Sequence, residues 1–393
     1  MSDEIEAVAA FAVAAVVTMA VTPLTGRLAV RVGAIDLPRE RSLHESPVPR
    51  LGGLAILSRL LAAALAFMPL NGETRGIFGG ALLIGLVGAI DDVRDLPPAV
   101  KLAGQVAAAS IPVAAGVRVK EFTLPFVGFL DLGTTGGAVL TGLAMVAVMN
   151  VVNFTDGVDG LAAGVCTISA ATFAVIALSL DRVDAGVLAA VTAGAALGFL
   201  RHNFHPASVF MGDAGSNLLG LMLACIAVQG VLKTAAVVAL VFPLVVLAVP
   251  MLDTAFVVAK RFKYRRPAWE ADAEHFHHRM ARIGFSQRQT VLYLYMWTLA
   301  LAALALALRF VPYSDDHGNF DTGWTVVMIG FGVLGLAASV YLVYVLEILK
   351  FRRFRERQLA KQAGMSQAEI DAEIEREMET GEFQAVDPGR SST

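Results

Sequence analysis

Charge is what this sequence has least of. Only 17% of its 393 residues are Asp, Glu, Lys or Arg, against 56% hydrophobic and a mean hydropathy of +0.65. Soluble globular chains carry about 25% charged residues, so a soluble globular fold is excluded. Cysteine is scarce too: Cys166 and Cys225 are the only two, both inside apolar runs, which excludes a disulfide framework and a thiolate metal site. A cleavable leader is also lacking, because Asp3, Glu4 and Glu6 replace its basic start and no small-residue cleavage site follows. There is no internal repeat. The net charge of -3 carries no information about partners, since the asymmetry of charge runs along the chain rather than in its total.

What is present is apolar sequence in blocks close to the roughly 20 residues that a spanning helix needs. They fall at 5–24, 51–70, 76–90, 98–115, 136–153, 161–180, 185–200, 215–231, 235–258, 290–310 and 323–349. Stretches 25–50, 91–101, 201–214, 259–289 and the tail from 350 hold 24 of the 31 Lys and Arg residues. The alternate connections hold Arg75, Arg118, Lys120, Arg182 and Lys233, while Arg59 lies inside a span and Arg309 at a span's outer end. Basic loops stay in the cytoplasm. The expectation is therefore an all-α polytopic membrane protein with about eleven spans, an outside N-terminus and a cytoplasmic C-terminus. Val117 to Gly133 alternates as a small hairpin at the outer surface would. The transmembrane part runs over 1–349, with a His/Arg loop at 259–289. A tail over 350–393 is basic in KFRRFRER and then acidic, with a capping-box signal at Ser366 and Glu369.

Carboxylates at membrane spans are costly and call for a reason. Four polar clusters all fall at cytoplasmic ends of spans or in cytoplasmic loops. Asp91-Asp92 closes GALLIGLVGAI, with Lys101 ten residues on; the acidic pair either stops the span in the headgroups or binds a cation, and the lysine either flanks its span or serves the same surface. In NVVNFTDGVDGLAAG, Asn150, Asn153 and Asp156 recur every third residue and share a helical face, and Asp159 follows across a glycine. Oxygen donors on one face at a glycine-opened helix end suit a hard cation with a phosphate or a base. In RHNFHPASVFMGDAGSNLLG, Asp213 is an N-cap or a ligand, and Asn203 and Phe210 offer an amide and a ring, or interface packing. His275, His277 and His278 lie among Arg265, Arg266, Arg279 and Arg282, a setting that favours an anion such as a diphosphate over zinc.

Together and in this order, LHESPVPRLGG, GAIDDVRDLPPAVKLAGQ, NVVNFTDGVDGLAAG, FMGDAGSNLLG and HFHHRMARIGFSQRQT resemble blocks of the polyprenyl-phosphate N-acetylhexosamine-1-phosphate transferase family (glycosyltransferase 4). The resemblance runs from about Arg41 to Val345. HFHHR resembles the branch using N-acetylglucosamine 1-phosphate, whereas the peptidoglycan branch has three adjacent histidines, a run that Phe276 interrupts here. The resemblance implies a UDP-sugar donor, a polyprenyl (undecaprenyl) phosphate acceptor and magnesium, with manganese as a substitute. It also implies a multi-pass protein of the inner (plasma) membrane, compatible with a homodimer and without nucleic acid. By residue-wise carry-over, Asp213 with Asn153 resembles the metal pair. Asp91 and Asp92 resemble the residues handling the lipid phosphate, and Lys101 the one neutralising the diphosphate. Asp156 and Asp159, with Asn203 and Phe210, resemble the uridine side. His44 and Arg50 match a loop near the nucleotide, and His275, His277, His278 and Arg279 the grip on sugar or diphosphate. A pentapeptide-sugar transferase is the alternative within the family. A secondary transporter is the alternative outside it, though its polar residues would cluster near the midplane in two related halves.

Overall fold

The structure is a computed structural model that describes residues 3–38, 46–124, 128–232, 251, 286–312, 321–335 and 337. The expected span at 235–258 (save Met251), His44, residues 259–285 of the His/Arg loop, the part of the last expected span from 338 on and the tail lie outside them. Ten helices are described: α1 Asp3–Val32, α2 Gly52–Phe67, α3 Gly72–Arg94, α4 Pro98–Ala114, α5 Gly133–Thr155, α6 Leu161–Ser179, α7 Val183–Asn203, α8 Gly212–Ala227, α9 Gln287–Phe310 and α10 Thr322–Gly335. Six of them, α1, α3, α5, α6, α7 and α9, are long and apolar enough to cross a membrane. The expected hairpin is present, with β3 Glu121–Leu124 pairing antiparallel with β4 Gly128–Asp131. A second small pairing, β1 Ile35–Asp36 with β2 Val48–Pro49, has no counterpart in the sequence reading, because two-residue strands carry no period.

Local chemistry sets the helix ends that matter. Asn71 caps α3 by accepting from the Thr74 N–H at 2.8 Å, and α3 stops where Asp95 turns left-handed. Pro97 and Pro98 then start α4, proline being suited to a first turn whose N–H groups have no helical partner. Ser286 and Gln289 form a capping box that fixes the start of α9.

Helix α8 is the axis of the bundle, with every residue from Ala214 to Ala227 buried. It packs on α3 and α5, with α2 and α7 also against it, while α7 packs on α1 and α6. Much of this contact is made by small residues that let backbones approach. A carbon added at Gly198 would lie 2.1 Å from the Ala15 carbonyl oxygen, and one at Gly194 would lie 2.2 Å from that of Phe11. Gly198→Leu should therefore push α7 off α1 and cost about 1–3 kcal/mol, the usual penalty of overpacking. Thermal unfolding in detergent checks this, with a lower midpoint expected and no shift for a lipid-facing control such as Leu143→Ile.

Candidate active site

Four helix ends meet at one end of the bundle. The C-terminal end of α3 brings Asp91 and Asp92, only 4% and 5% exposed. The first turn of α4 brings Lys101, the last turn of α5 brings Asn153 and the first turn of α8 brings Asp213. Lys101 Nζ lies 2.6 Å from Asp91 Oδ2 and 3.0 Å from Asp213 Oδ2, a cation shared by two carboxylates. The other Asp91 oxygen accepts from the Leu96 N–H at 2.6 Å. Asn153 Nδ2 donates to Asp213 Oδ1 at 3.0 Å and to Ser216 Oγ at 2.9 Å.

Asp92 has a different position from its neighbour. Its two oxygens accept from the backbone N–H groups of Asp213 at 2.8 Å and Ala214 at 3.2 Å. The carboxylate thus caps the start of α8 from another helix, where the free N–H groups and the helix dipole favour negative charge. The approach is possible because Gly212 has φ +69° and no side chain; a carbon there would lie 2.4 Å from Asp92 Oδ2. Gly53 and Gly88 bring α2 and α3 equally close to the Ala214–Gly215 backbone.

Behind the charged residues runs an amide relay. Asn150 Nδ2 donates to Gln105 Oε1 at 2.8 Å, Gln105 Nε2 to Asn217 Oδ1 at 2.7 Å, and Asn217 Nδ2 to the Asp213 carbonyl at 2.9 Å. Asn150 therefore supports the site from the second layer. Gln105 and Asn217 went unnoticed in the sequence, although each lies one helical turn, four residues, beyond Lys101 and Asp213 respectively.

The DGVDG turn after α5 forms the adjoining wall. Asp159 Oδ2 accepts from His205 Nδ1 at 2.9 Å and from the Ala207 N–H at 3.0 Å, tying the turn to the α7–α8 connection. Asn203 is 3% exposed, with Oδ1 taking the Gly160 N–H at 3.0 Å and Nδ2 donating to the Val209 carbonyl at 3.1 Å. Its amide is engaged by backbone and shapes this wall. Tyr295 of α9 donates its hydroxyl to the Gly160 carbonyl at 2.5 Å. Phe210 is half-buried on the same connection, its backbone paired with Pro49 and Gly52. Arg50 lies 3.5 Å from Asp95 and 4.0 Å from Asp36. The described site thus brings together Asp91, Asp92, Lys101, Asn153 and Asp213, with Asp156 facing them.

Asp156 follows the last residue of α5 and donates its backbone N–H to the Asn153 carbonyl at 3.1 Å, while its side chain has no hydrogen bond or ion pair among the described residues. Burial, with the carboxylates of Asp213, Asp92 and Asp159 around it, raises its carboxyl well above the ordinary carboxylate range. A site with this excess of negative charge can receive an anionic phosphate only together with a cation. The oxygen donors suit magnesium. Among the described residues no group of three His, Cys, Asp or Glu side chains is placed to hold a metal ion.

Comparison with known proteins places the chain in a family. The family model described as glycosyl transferase family 4 matches residues 74–231, the segment holding every residue of the cluster. A probable undecaprenyl-phosphate N-acetylglucosaminyl 1-phosphate transferase of Bacillus subtilis (strain 168) is 38% identical over 74% of this chain and 82% of its own. A decaprenyl-phosphate N-acetylglucosaminephosphotransferase of Mycobacterium leprae (strain TN) is 39% identical over 71% and 78%. A phospho-N-acetylmuramoyl-pentapeptide-transferase of Desulforudis audaxviator (strain MP104C) is 33% identical over 72% and 91%. The chain belongs to glycosyl transferase family 4.

The cap made by Asp92 gives a direct expectation. Asp92→Asn keeps one acceptor oxygen and loses the charge, so it should destabilise the fold by about 0.5–2 kcal/mol, the range for a lost helix cap. It should also slow turnover at least tenfold by displacing Asp213. Parallel measurements of melting temperature and initial rate check this; a normal rate would show that the cap does not position Asp213.

Proposed function

We propose that this protein transfers N-acetylglucosamine 1-phosphate from UDP-N-acetylglucosamine to a polyprenyl phosphate, releasing UMP. The carrying observation is Lys101 held between Asp91 and Asp213, beside Asn153, at one end of a membrane bundle. That arrangement suits two phosphates arriving from opposite sides, one on a lipid and one on a soluble nucleotide. The relatives named for N-acetylglucosamine are 38% and 39% identical, against 33% for the muramoyl-pentapeptide relative, which supports the smaller donor.

A lipid phosphate oxygen attacks the sugar-bearing phosphorus in a single displacement. The bond between that phosphorus and the bridging oxygen breaks, and UMP leaves with that oxygen. The acceptor phosphate is largely dianionic at neutral pH, because its second pKa is about 6. Asp91 therefore orients the acceptor with little need to act as a strong base. Lys101 moves from its two carboxylates onto the diphosphate. Asp213 and Asn153 would hold magnesium, which supplies charge neutralisation across the diphosphate oxygens when bound. Asp159 and Asn203 hold the wall against which the uridine stacks on Phe210, and Arg50, with His44, borders the nucleotide. The loop bearing His275, His277, His278 and Arg279 grips the sugar and diphosphate. About eleven spans follow from the apolar blocks, the cytoplasmic face for the site from the Lys and Arg distribution, and the inner membrane, with manganese as a substitute for magnesium, from the family. A homodimer is compatible with this arrangement.

The deciding experiment incubates purified protein with labelled UDP-N-acetylglucosamine, polyprenyl phosphate and magnesium, and looks for labelled lipid and UMP. Asp213→Ala should abolish that turnover in a protein that still folds, since its backbone N–H, which Asp92 holds, is retained. A near-normal rate with an unchanged magnesium requirement would remove Asp213 from the metal. Phe210→Ala should weaken UDP binding by about 1–3 kcal/mol, the worth of a base stacked on an aromatic ring, and leave the acceptor's KM unchanged. Calorimetric titration of UDP decides whether that ring stacks or merely packs.

A further inference from the structure

The end of the bundle away from the carboxylate cluster carries a second polar site. Glu73 opens the helix that Asp91 nearly closes, 18 residues or roughly 27 Å along its axis. There the start of α3, the α6–α7 connection and a π-helical turn at Val228–Leu232 enclose a cavity of about 330 Å³. This is at the small end of the ~300–1,000 Å³ range of ligand pockets. Glu73, Asp181, Arg182, Asp184 and Gln229 supply its polar lining.

Gln229 is the decisive residue. It is only 9% exposed, and its Nε2 donates to Glu73 Oε2 at 2.8 Å, which fixes which way the amide points. Its Oε1 is then buried with no hydrogen-bond partner among the described residues, an arrangement that costs stability unless a donor arrives. The rim is also organised: Asn71 caps α3 with its oxygen and donates its Nδ2 to Asp184 Oδ2 at 3.2 Å. Among the described residues the lining thus holds three carboxylates and an orphan carbonyl, with the exposed Arg182 guanidinium at the mouth.

We propose that this cavity binds a primary ammonium carried beside an anionic group, the chemistry of a phosphoethanolamine headgroup. An ammonium brings three N–H donors, enough to satisfy Gln229 Oε1 while meeting the carboxylates. Arg182 repels a bare cation but meets a phosphate oxygen favourably. A metal ion fits less well, because no three acidic side chains among the described residues are placed to hold one. A quaternary ammonium has no N–H and leaves the Gln229 oxygen unpaired. The cavity lies at helix ends, the level of lipid headgroups, so the ligand is either an aminophospholipid or a free zwitterion.

O-phosphoethanolamine titrated calorimetrically into the full-length protein in phosphatidylcholine nanodiscs tests this. Saturable binding is expected, at least tenfold weaker for phosphocholine and at least tenfold weaker in Glu73→Gln and in the exposed-site variant Arg182→Ala. Asp213→Ala, in the distant cluster, should bind as wild type does. Phosphatidylethanolamine nanodiscs separate the two sources: a lowered apparent affinity means that the lipid already occupies the cavity, and an unchanged one means a free zwitterion. The proposal is overturned by absent binding, by equal binding of phosphocholine, or by binding that neither variant weakens. Calcium bound in place of phosphoethanolamine, and lost in Glu73→Gln, would overturn it in favour of a metal site.

Discussion

The bond from the Asp92 carboxylate to the backbone of Asp213 and Ala214 is the constraint on which the rest of the site hangs. It joins the end of one helix to the start of another 121 residues further along the chain. Because the donors belong to the first turn of a helix and have no partner within it, the contact lets the two carboxyl oxygens satisfy N–H groups that would otherwise stay unpaired. Its effect is to fix the backbone from which Asp213 projects, so that the side chain itself is left to face Lys101 and Asn153. Glycines at 53, 88 and 212 exist around it for a steric reason, since any side-chain carbon there would collide with the cap or with the α8 backbone.

The same economy appears in the amide relay and in the DGVDG wall. Side chains that could have met a substrate are engaged in holding those that do. Asn203 binds two backbone groups, Asp159 binds a histidine and a backbone N–H, and Asn150 reaches the cluster only through Gln105 and Asn217. Among the described residues, Asp91, Lys101, Asn153, Asp156 and Asp213 are left as a small set of oxygens and one ammonium surrounded by fixed partners. Pre-organisation of this kind is what phosphoryl transfer needs, because positioning and charge account for most of its acceleration.

How much of this was legible in the sequence depends on the range of the interaction. Helical periodicity placed Asn150, Asn153 and Asp156 on a common face, and composition marked the apolar helices and the hairpin between α4 and α5. Periodicity describes a face without naming what lies opposite, so nothing local could show that Asp92 caps α8 while adjacent Asp91 meets Lys101. Gln105 and Asn217 were passed over because an isolated amide in an apolar helix looks unremarkable until its partner, 112 residues away, is brought beside it. The amide of Asn203 suggests a base-reading group for the same reason, since the sequence alone does not show its backbone partners at Gly160 and Val209. The family's motifs supplied order where physics supplied only composition.

The cluster sits where four helices end, Asp91 three residues from the end of α3 and Asp213 one residue into α8. On the proposed function the phosphates of a bilayer lie at that level, and a lipid acceptor would not have to leave its leaflet to reach Lys101. Its search is two-dimensional, confined to a thin sheet in which even a scarce lipid is locally concentrated, whereas the nucleotide sugar must find the same point from bulk water. With only the phosphate of the acceptor meeting fixed charges, the length of its hydrocarbon tail is a property that this cluster has no means of measuring.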